Sequence, residues 1–292
     1  MNDQAPNPSA AAAAAGNRPE LGTGPAFAEP GTVRIGTINW GGLKALYMKE
    51  VRRFFKVQLQ TIWAPAITTM LYLVIFTVAL GRSGRTVLDV PFADFLAPGL
   101  IVMAMMQNSF ANSSFSLLVG KIQGTIIDYL MPPLSELEVL VSLVIAAVTR
   151  AFLVGAAVWL AMLLWPGIDV TPQHPLAILW FGLMGAMMLA FMGVLTSIWA
   201  EKFDHAAAIT NFVVAPLALL SGTFYSVEAM APAFRTLSHA NPFFYVISGF
   251  RYGFIGSADS PLLLGAGLLL AINVALGFAC YALLRSGWKL RS

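Results

Sequence analysis

Six long apolar runs constrain the fold of this chain more than any other feature of its sequence. About 20 apolar residues in a helix cross the hydrocarbon core of a bilayer, which is about 30 Å thick. Apolar residues form 58% of the sequence and charged residues only 11%, whereas about a quarter of the residues of a soluble domain are charged. The sequence therefore predicts an all-α integral membrane protein with six transmembrane helices. The predicted spans are 59–80, 95–119, 139–165, 176–199, 207–225 and 262–284.

Lysine and arginine residues beside the first and last spans predict the orientation of the chain. The segment before the first span contains Lys44, Lys49, Arg52, Arg53 and Lys56, and the tail after the sixth contains Arg285, Lys289 and Arg291. Because positively charged flanks stay in the cytoplasm, we expect a multi-pass protein of a bacterial inner membrane with both termini cytoplasmic. The same arrangement accounts for the net charge of +3, so that charge does not indicate nucleic acid as a partner.

The segment before the first span divides into two parts of different composition. Residues 1–38 are rich in Ala, Pro, Gly and Asn and are predicted to be a disordered tail, since they cannot bury enough apolar surface to fold. From Leu43 to Phe55, apolar residues recur at helical spacing with the cations on the other side. This pattern predicts an amphipathic helix lying in the membrane interface. The helix is either an anchor or a lever that touches a cytoplasmic partner.

No set of side chains in the sequence is suited to catalysis or to holding a metal or cofactor. The three histidines fall in loops on different sides of the membrane, and the predicted spans contain no Asp or Glu in their interiors. A phosphate-binding loop requires Lys followed by Ser or Thr, and no lysine here is followed by either. We therefore predict a chain that is not an enzyme and that binds no cofactor itself. If ATP and magnesium are used, another chain binds them.

Polar residues inside the spans have two possible roles. Asn108, Asn112 and Ser116 are spaced by four residues along the second span, which aligns them on one helix face. They either form hydrogen bonds between helices or line a path for a translocated headgroup or sugar. Arg150 lies midway along the third span, where an arginine must find carbonyls, water or a partner. A structural contact is favoured for it over an anionic substrate.

The loop between the second and third spans, about 120–138, is predicted to contain a short structured element. Gly124, Thr125 and Asp128 begin or cap a short helix, and Pro132 and Pro133 end it because proline lacks an amide donor. Residues 135–138 match a capping box for the third span. The loop is either a plain connection or a docking element for a soluble motor subunit.

Two motifs resemble the ABC-2 type permeases, the membrane subunits of a class of ATP-driven exporters. GTIIDYLMPPLSELEVLVS at 124–142 is similar to the cytoplasmic loop of that family, in which GT precedes a helix and PLS leads into the next span. NPFFYVISGFR at 241–251 is similar to its closing motif, with an aromatic residue three after the proline and an arginine six further on. The resemblance runs over about 40–290 and is nearest the YadH-like and NodJ-like branch.

The resemblance implies a permease domain over 39–290 that forms a homodimer clamped to two copies of an ABC ATPase subunit. The expected ATPase-coupling loop residues are Lys121, Gly124, Thr125, Asp128, Pro132, Pro133, Ser135 and Glu136. The expected signature near the exit of the path comprises Ser221, Gly222, Asn241, Pro242, Tyr245 and Arg251. The resemblance also implies re-entrant short helices within 226–261. Arg251 in this segment either snorkels to lipid headgroups, binds carbonyls that fix the re-entrant turn or contacts the substrate, and the last role is the least favoured.

These features predict an ATP-driven exporter subunit that moves an amphiphilic or glycan-like substrate out of the cytoplasm. The main alternative is a self-sufficient secondary transporter or channel, which would need no ATPase partner. The absence of carboxylates inside the predicted spans disfavours the proton relays that many secondary transporters use. It does not exclude sodium coupling, because carbonyls and hydroxyls can hold sodium.

Overall fold

The computed structural model describes residues 38–80, 86–227 and 230–290, which form a bundle of long helices and one small hairpin. The helices are α1 Trp40–Lys56, α2 Ala64–Leu80, α3 Phe92–Ile122, α4 Ile127–Leu130, α5 Glu136–Leu163, α6 Pro175–Trp199, α7 Phe203–Ile209, α8 Ala215–Leu219, α9 Pro232–Ala240, α10 Pro242–Ile255 and α11 Leu262–Ser286. Strands β1 Thr86–Val87 and β2 Val90–Pro91 pair antiparallel, with Val87 opposite Val90. The predicted tail lies outside the described residues, apart from Ile38.

Two π-helical turns interrupt the helices. One, Leu59–Trp63, joins α1 to α2, and the other, Thr210–Val214, joins α7 to α8. A π turn contains one more residue than an α-helical turn and leaves a gap in the hydrogen-bond ladder. At the first turn, the Thr61 hydroxyl fills such a gap by donating to the carbonyl oxygen of Phe54 at 2.9 Å. Each π turn is therefore a local change of helix register rather than a break in the chain.

The prediction of an all-helical membrane protein is confirmed. Four of the predicted spans lie on helices that are long and apolar enough to cross a bilayer: Leu59–Ala79, Glu136–Leu163, Pro175–Trp199 and Leu262–Ser286. The predicted second span lies within α3, which is long, but amides and hydroxyls near its middle make it less apolar than those four. The predicted fifth span lies on the shorter apolar run Phe203–Leu219. This run ends before residue 225, because Gly222 turns the chain with φ +77°.

Helix α3 is the centre of the bundle. It packs against α2, α5, α6 and α10, and its side chains from Phe95 to Met106 form much of the apolar core. By contrast, few residues of α11 and of the Leu59–Ala79 run are buried within this chain. Because α3 is surrounded by other helices, its buried polar residues contact those helices and not lipid.

Hydrogen bonds between loops assign each loop to one of the two ends of the bundle. At the first, termed the α1 end, the Asn39 side-chain amide donates to the carbonyl oxygen of Pro133 at 3.1 Å, and Lys121 donates to that of Ala200. At the other, termed the opposite end, the amide of Asp169 donates to the Asp94 carboxylate at 2.9 Å. The 123–135 loop thus lies at the α1 end, beside the start of α1.

Helices α9 and α10 enter and leave the bundle at the opposite end. The Ser226 hydroxyl before α9 donates to the Asp259 carboxylate after α10 at 2.9 Å, so the two ends of this segment meet. Between them, α10 is buried along most of its length from Phe243 to Phe254. The segment therefore forms a helical hairpin that returns to the side from which it started, as predicted for re-entrant helices.

Helices α3 and α6 approach each other closely at Gly193. A Cβ atom on Gly193 would meet the Ser113 hydroxyl and would lie 2.7 Å from the carbonyl oxygen of Phe110. Backbone atoms of a packed helix cannot move away as the end of a flexible side chain can. The contact therefore requires glycine at this position.

We expect Gly193→Ala to destabilise the chain by about 1–3 kcal/mol, the usual cost of overpacking a filled site. Gly267→Ala is the matched control, because a Cβ atom there meets nothing within 4 Å. Thermal unfolding of both purified variants in detergent measures the difference. Equal melting temperatures for the two variants would show that the α3–α6 contact is looser than described.

Candidate functional site

A glycine near the start of the 123–135 loop turns the chain away from α3. Gly124 has φ +71°, a conformation that favours glycine because other residues crowd their Cβ atom there. The amide of Thr125 donates back to the carbonyl oxygen of Gly120 at 2.8 Å, which closes the end of the helix. The chain then forms the four residues of α4, with Asp128 in its first turn. The predicted short helix in this loop is therefore present.

The outer face of this loop carries exposed apolar groups on either side of a carboxylate. Ile127 and Met131 are 55% and 75% exposed, and Thr125 and Asp128 are also exposed. We name this surface the loop patch; it comprises Gly124, Thr125, Ile127, Asp128 and Met131. Exposed apolar side chains grouped in this way are typical of a surface that contacts another protein or the membrane.

The inner face of the loop is fixed by Tyr129. Its hydroxyl donates to Glu50 Oε1 of α1 at 2.9 Å, and the ammonium of Lys49 lies 3.7 Å from the centre of its ring. Burial, together with the negative charge of Glu50, raises the pKa of Tyr129 well above its usual range. The phenol therefore stays protonated and remains a hydrogen-bond donor to the carboxylate.

Glu50 is fully buried, and each of its oxygens is bound. Besides Tyr129, it accepts a hydrogen bond from the Ser116 hydroxyl of α3 at 2.8 Å and pairs with Arg53 Nη2 at 2.8 Å. Arg53 in turn donates to the carbonyl oxygen of Asn112 at 2.7 Å. Three elements, α1, α3 and the loop, thus share one carboxylate. We name Glu50, Arg53, Asn112, Ser116 and Tyr129 the Glu50 cluster.

The start of α5 holds the other end of the loop. Ser135 caps α5 and forms the predicted capping box with Glu138, and the backbone amide of Asn39 donates to Glu138 Oε1 at 2.5 Å. Asn39 also caps α1 through its side chain, which accepts from the amide of Gly42. Of the remaining predicted loop residues, Pro132 and Pro133 lie between α4 and α5, and Glu136 is in the first turn of α5.

Lys121, which is among the predicted coupling-loop residues, lies in the last turn of α3. Its ammonium donates to the carbonyl oxygens of Ile198 at 2.8 Å and Ala200 at 2.5 Å. These carbonyls belong to the last turn of α6 and the residue that follows it, where a cation also meets the negative end of the helix dipole. Lys121 therefore ties α3 to α6.

The polar face of α3 does not line an open path in this structure. Asn112 and Ser116 are 1% exposed and Asn108 is 8% exposed. Asn108 accepts a hydrogen bond from Arg150 Nη2 at 2.9 Å, while Asn112 and Ser116 belong to the Glu50 cluster. These side chains point into the bundle. In this structure they form hydrogen bonds between helices and do not line a substrate path. Arg53 likewise turns into the bundle, although its position on α1 predicts a contact with lipid headgroups.

Arg251 organises the opposite end. It is 1% exposed, so the prediction that it snorkels to headgroups is wrong. Its guanidinium donates to the carbonyl oxygens of Phe95 at 3.2 Å and Gly222 at 2.8 Å, and pairs with Asp259 at 3.0 Å. The alternative prediction, that it binds carbonyls at the re-entrant segment, agrees with these contacts. One side chain joins α3, the turn after α8 and the end of the hairpin.

The other predicted signature residues lie in the turn after α8 and at the start of α10. The Ser221 hydroxyl donates to the carbonyl oxygen of Ala218 in the last turn of α8. Asn241 caps α10 by accepting from the amide of Phe243, and its own amide donates to the carbonyl oxygen of Leu217 at 2.7 Å. Pro242 is the first residue of α10, and the Tyr245 hydroxyl donates to the carbonyl oxygen of His239 at 3.0 Å. The signature therefore joins the fifth apolar run to the hairpin.

Sequence reasoning missed Glu50, Tyr129 and Asp259. A signal for Glu50 existed, because it follows Leu46 by four residues and precedes Phe54 by four, on the apolar face of α1. A carboxylate in that stripe indicates a buried partner. Asp259 lies in a loop, where spacing along the chain does not tell which side chains meet.

Comparison with known proteins gives the family. The ABC-2 type transporter family model matches residues 42–255, which include the Glu50 cluster, the loop patch and the signature. The chain belongs to the ABC-2 type transporter family. It is 34% identical to the inner membrane transport permease YadH of Escherichia coli strain K12 over 253 residues, which cover 87% of this chain and 98% of that protein.

More distant ABC-2 relatives agree with this assignment. The chain is 25% identical to nodulation protein J of Rhizobium leguminosarum bv. viciae over 259 residues, covering 87% of this chain and 96% of that protein. Nodulation protein J of Neorhizobium galegae is 24% identical over 257 residues. The predicted resemblance to the YadH-like and NodJ-like branch is confirmed. This ABC-2 chain is a transport permease and a multi-pass inner membrane protein.

We expect Tyr129→Phe to destabilise the chain by about 1–3 kcal/mol, because the buried carboxylate of Glu50 loses a donor that no solvent replaces. Tyr252→Phe is the control, since the Tyr252 hydroxyl has no hydrogen bond among the described residues and its ring stacks on His174. The melting temperature in detergent measures both. A Tyr129→Phe variant as stable as the control would contradict the role given to the hydroxyl.

Arg251→Met should destabilise the chain by about 3–5 kcal/mol, because it leaves the Asp259 charge buried without a partner. Both side chains of this pair are 1% exposed. The double variant Arg251→Met/Asp259→Asn removes that charge and should recover part of the loss. Unfolding experiments on the two variants test this order, and a double variant less stable than the single one would contradict it.

Proposed function

We propose that this chain is the membrane-spanning permease subunit of an ATP-driven exporter, and that a separate ABC ATPase subunit supplies the energy. ATP and magnesium are bound by that partner, so this chain needs no cofactor of its own. Two ATPase copies act on a homodimer of the permease. The α1 end faces the cytoplasm, which follows from the lysines and arginines of α1 and of the C-terminal tail.

The observation that carries this proposal is the connection from the loop patch to the Glu50 cluster. Ile127, Asp128 and Met131 face outward, whereas Tyr129, on the same short helix, donates to Glu50 inside the bundle. A push on the outer face of α4 therefore acts on α1 and α3 through one hydrogen-bonded group. Since α4 is only four residues long, it transmits such a push without bending.

Exposed side chains on the first and fifth apolar runs support a homodimer. Thr210 and Asn211 are exposed near the middle of the fifth run, and Phe212 beside them is 81% exposed. An amide that faces lipid has no partner for its hydrogen bonds, so polar residues in spans normally face protein or water. A second copy of the chain covers this surface, and the substrate path lies between the two copies.

An amphiphilic or glycan-like substrate fits this arrangement. A path between two copies would present apolar residues of the first run, such as Ile67 and Leu71, beside the polar groups of Thr210 and Asn211. Such a surface solvates the apolar and the polar parts of one molecule. A small ion alone would require only the polar groups.

Purification from the native host in mild detergent, followed by mass spectrometry, tests the assembly. We expect a dimer of this chain with two copies of an ATPase that contains a phosphate-binding loop. A homomer that moves solute or ions in liposomes without ATP would overturn the proposal in favour of a secondary transporter or channel.

Asp128→Lys should uncouple ATP hydrolysis from export, because it inverts the charge at the centre of the loop patch. The matched control is Asp204→Lys, which changes another exposed carboxylate, in the first turn of α7. In proteoliposomes we expect Asp128→Lys to keep the ATPase activity of the complex and to lose most ATP-driven transport. Normal transport by this variant would count against the role of the loop patch.

A further inference from the structure

Two arginines converge on the polar face of α3 from different helices. Arg53 of α1 donates to the carbonyl oxygen of Asn112 at 2.7 Å, and Arg150 of α5 donates to Asn108 Oδ1 at 2.9 Å. Asn108 and Asn112 are four residues apart, so they are neighbours on one helix face, about 5–6 Å apart. The two guanidinium groups therefore approach the same face of α3.

The two arginines and Asn112 present more hydrogen-bond donors than the surrounding side chains and carbonyls accept. Arg53 Nη1, Asn112 Nδ2 and Arg150 Nε are buried and have no hydrogen-bond partner among the described residues. Leaving a buried donor without an acceptor is costly, and most so for a charged group. Three such atoms on adjacent side chains indicate that this site is built to receive an acceptor.

The charges at the site favour an anion over water as that acceptor. Arg53 and Arg150 carry two positive charges, and Lys49 adds a third at the ring of Tyr129. Glu50 is the carboxylate that contacts this group in the described structure, and its oxygens are already bound by Tyr129, Ser116 and Arg53. The site therefore has an excess of positive charge, which a neutral water molecule would leave uncompensated.

We propose that Arg53, Asn112 and Arg150 form a binding site for a phosphate oxyanion. Guanidinium groups present donors in a planar fork that matches phosphate oxygens, and the Asn112 amide supplies a further donor. The phosphate comes either from the headgroup of a membrane lipid or from free phosphate, since both offer the same oxygens to these donors. The site does not depend on the ATPase partner and is independent of the transport proposal.

The position of the site gives a ligand access from the membrane surface. The Arg53 side chain is 30% exposed and lies on the interfacial helix, just before the first span. Arg150 is half-buried, and its neighbour Thr149 is within hydrogen-bond distance of the Tyr47 hydroxyl of α1, at 3.2 Å. A headgroup beside α1 therefore meets the exposed part of Arg53 first, and it reaches the buried donor atoms when the Arg53 side chain moves aside.

Thermal unfolding of the full-length chain in a maltoside detergent, which carries no phosphate, tests this site. The probes are inorganic phosphate, phosphatidylglycerol and phosphatidylcholine, with chloride at equal ionic strength as the reference. Ligands that bind only the folded state raise the melting temperature, and we expect a rise of about 3 °C or more. A rise with inorganic phosphate identifies a soluble anion, and a rise with the lipids alone identifies a headgroup.

Three variants relate this rise to the proposed donors. Arg150→Gln should lose the response to the ligand, and Arg52→Gln, which changes an exposed arginine next to Arg53, should keep it. Asn112→Asp provides an internal carboxylate beside the guanidinium groups. It should also lose the response, but without ligand it should melt at or above the wild-type temperature, which separates loss of binding from misfolding.

The outcomes are distinct. Loss of the ligand-dependent rise in both Arg150→Gln and Asn112→Asp, with the rise retained in Arg52→Gln, supports the site. The proposal is overturned if no probe stabilises the wild type relative to chloride. It is equally overturned if Asn112→Asp and Arg150→Gln respond as strongly as the wild type does.

Discussion

The buried carboxylate of Glu50 is the interaction on which the α1 end depends. Removing a charge from water costs several kcal/mol unless partners compensate it, and here the partners come from α1, α3 and the 123–135 loop. None of these three elements can shift without breaking a bond to the charge. An interfacial helix held only by apolar contacts would be free to slide, because such contacts are not directional.

Arg251 has the corresponding role at the opposite end, where the chain is least regular. The turn after α8 leaves the carbonyl of Gly222 inside the bundle, and the loop after α10 leaves the carboxylate of Asp259 there. One guanidinium binds both groups and also donates to the carbonyl oxygen of Phe95 in α3. Non-helical backbone survives at membrane depth only when its polar groups are bound in this way. At each end of the bundle, one buried charge holds several elements together. That charge is the Glu50 carboxylate at the α1 end and the Arg251 guanidinium at the opposite end.

The sequence was sufficient to predict the parts of the fold that depend on local pattern. Apolar runs gave the spans, the residues 135–138 gave the capping box, and the prolines and glycines gave the ends of the short helices. The predicted fifth span ends at residue 225, beyond the end of α8 at Leu219, because hydropathy does not register the turn set by Gly222. Hydropathy records which residues avoid water, but it does not record where the backbone reverses.

Contacts between distant residues were harder to predict. Arg251 and Asp259 pair across a loop, and Arg53 meets Asn112 only because its long side chain reaches from α1 to α3. The sequence suggested two roles for Asn108, Asn112 and Ser116, and the hydrogen bonds that these residues form depend on where α1 and α5 lie. Helix periodicity places residues on a face, whereas the identity of the facing helix is a property of the whole fold.

The two π-helical turns have a consequence for the outer surface of the bundle. An additional residue in one turn rotates every later side chain by about 100° around the helix axis, since an α-helix has 3.6 residues per turn. The turns at Leu59–Trp63 and Thr210–Val214 precede α2 and α8, so they set the azimuth of both helices. A single-residue deletion at either turn would redirect a whole row of side chains while leaving the amino-acid composition of the span almost unchanged.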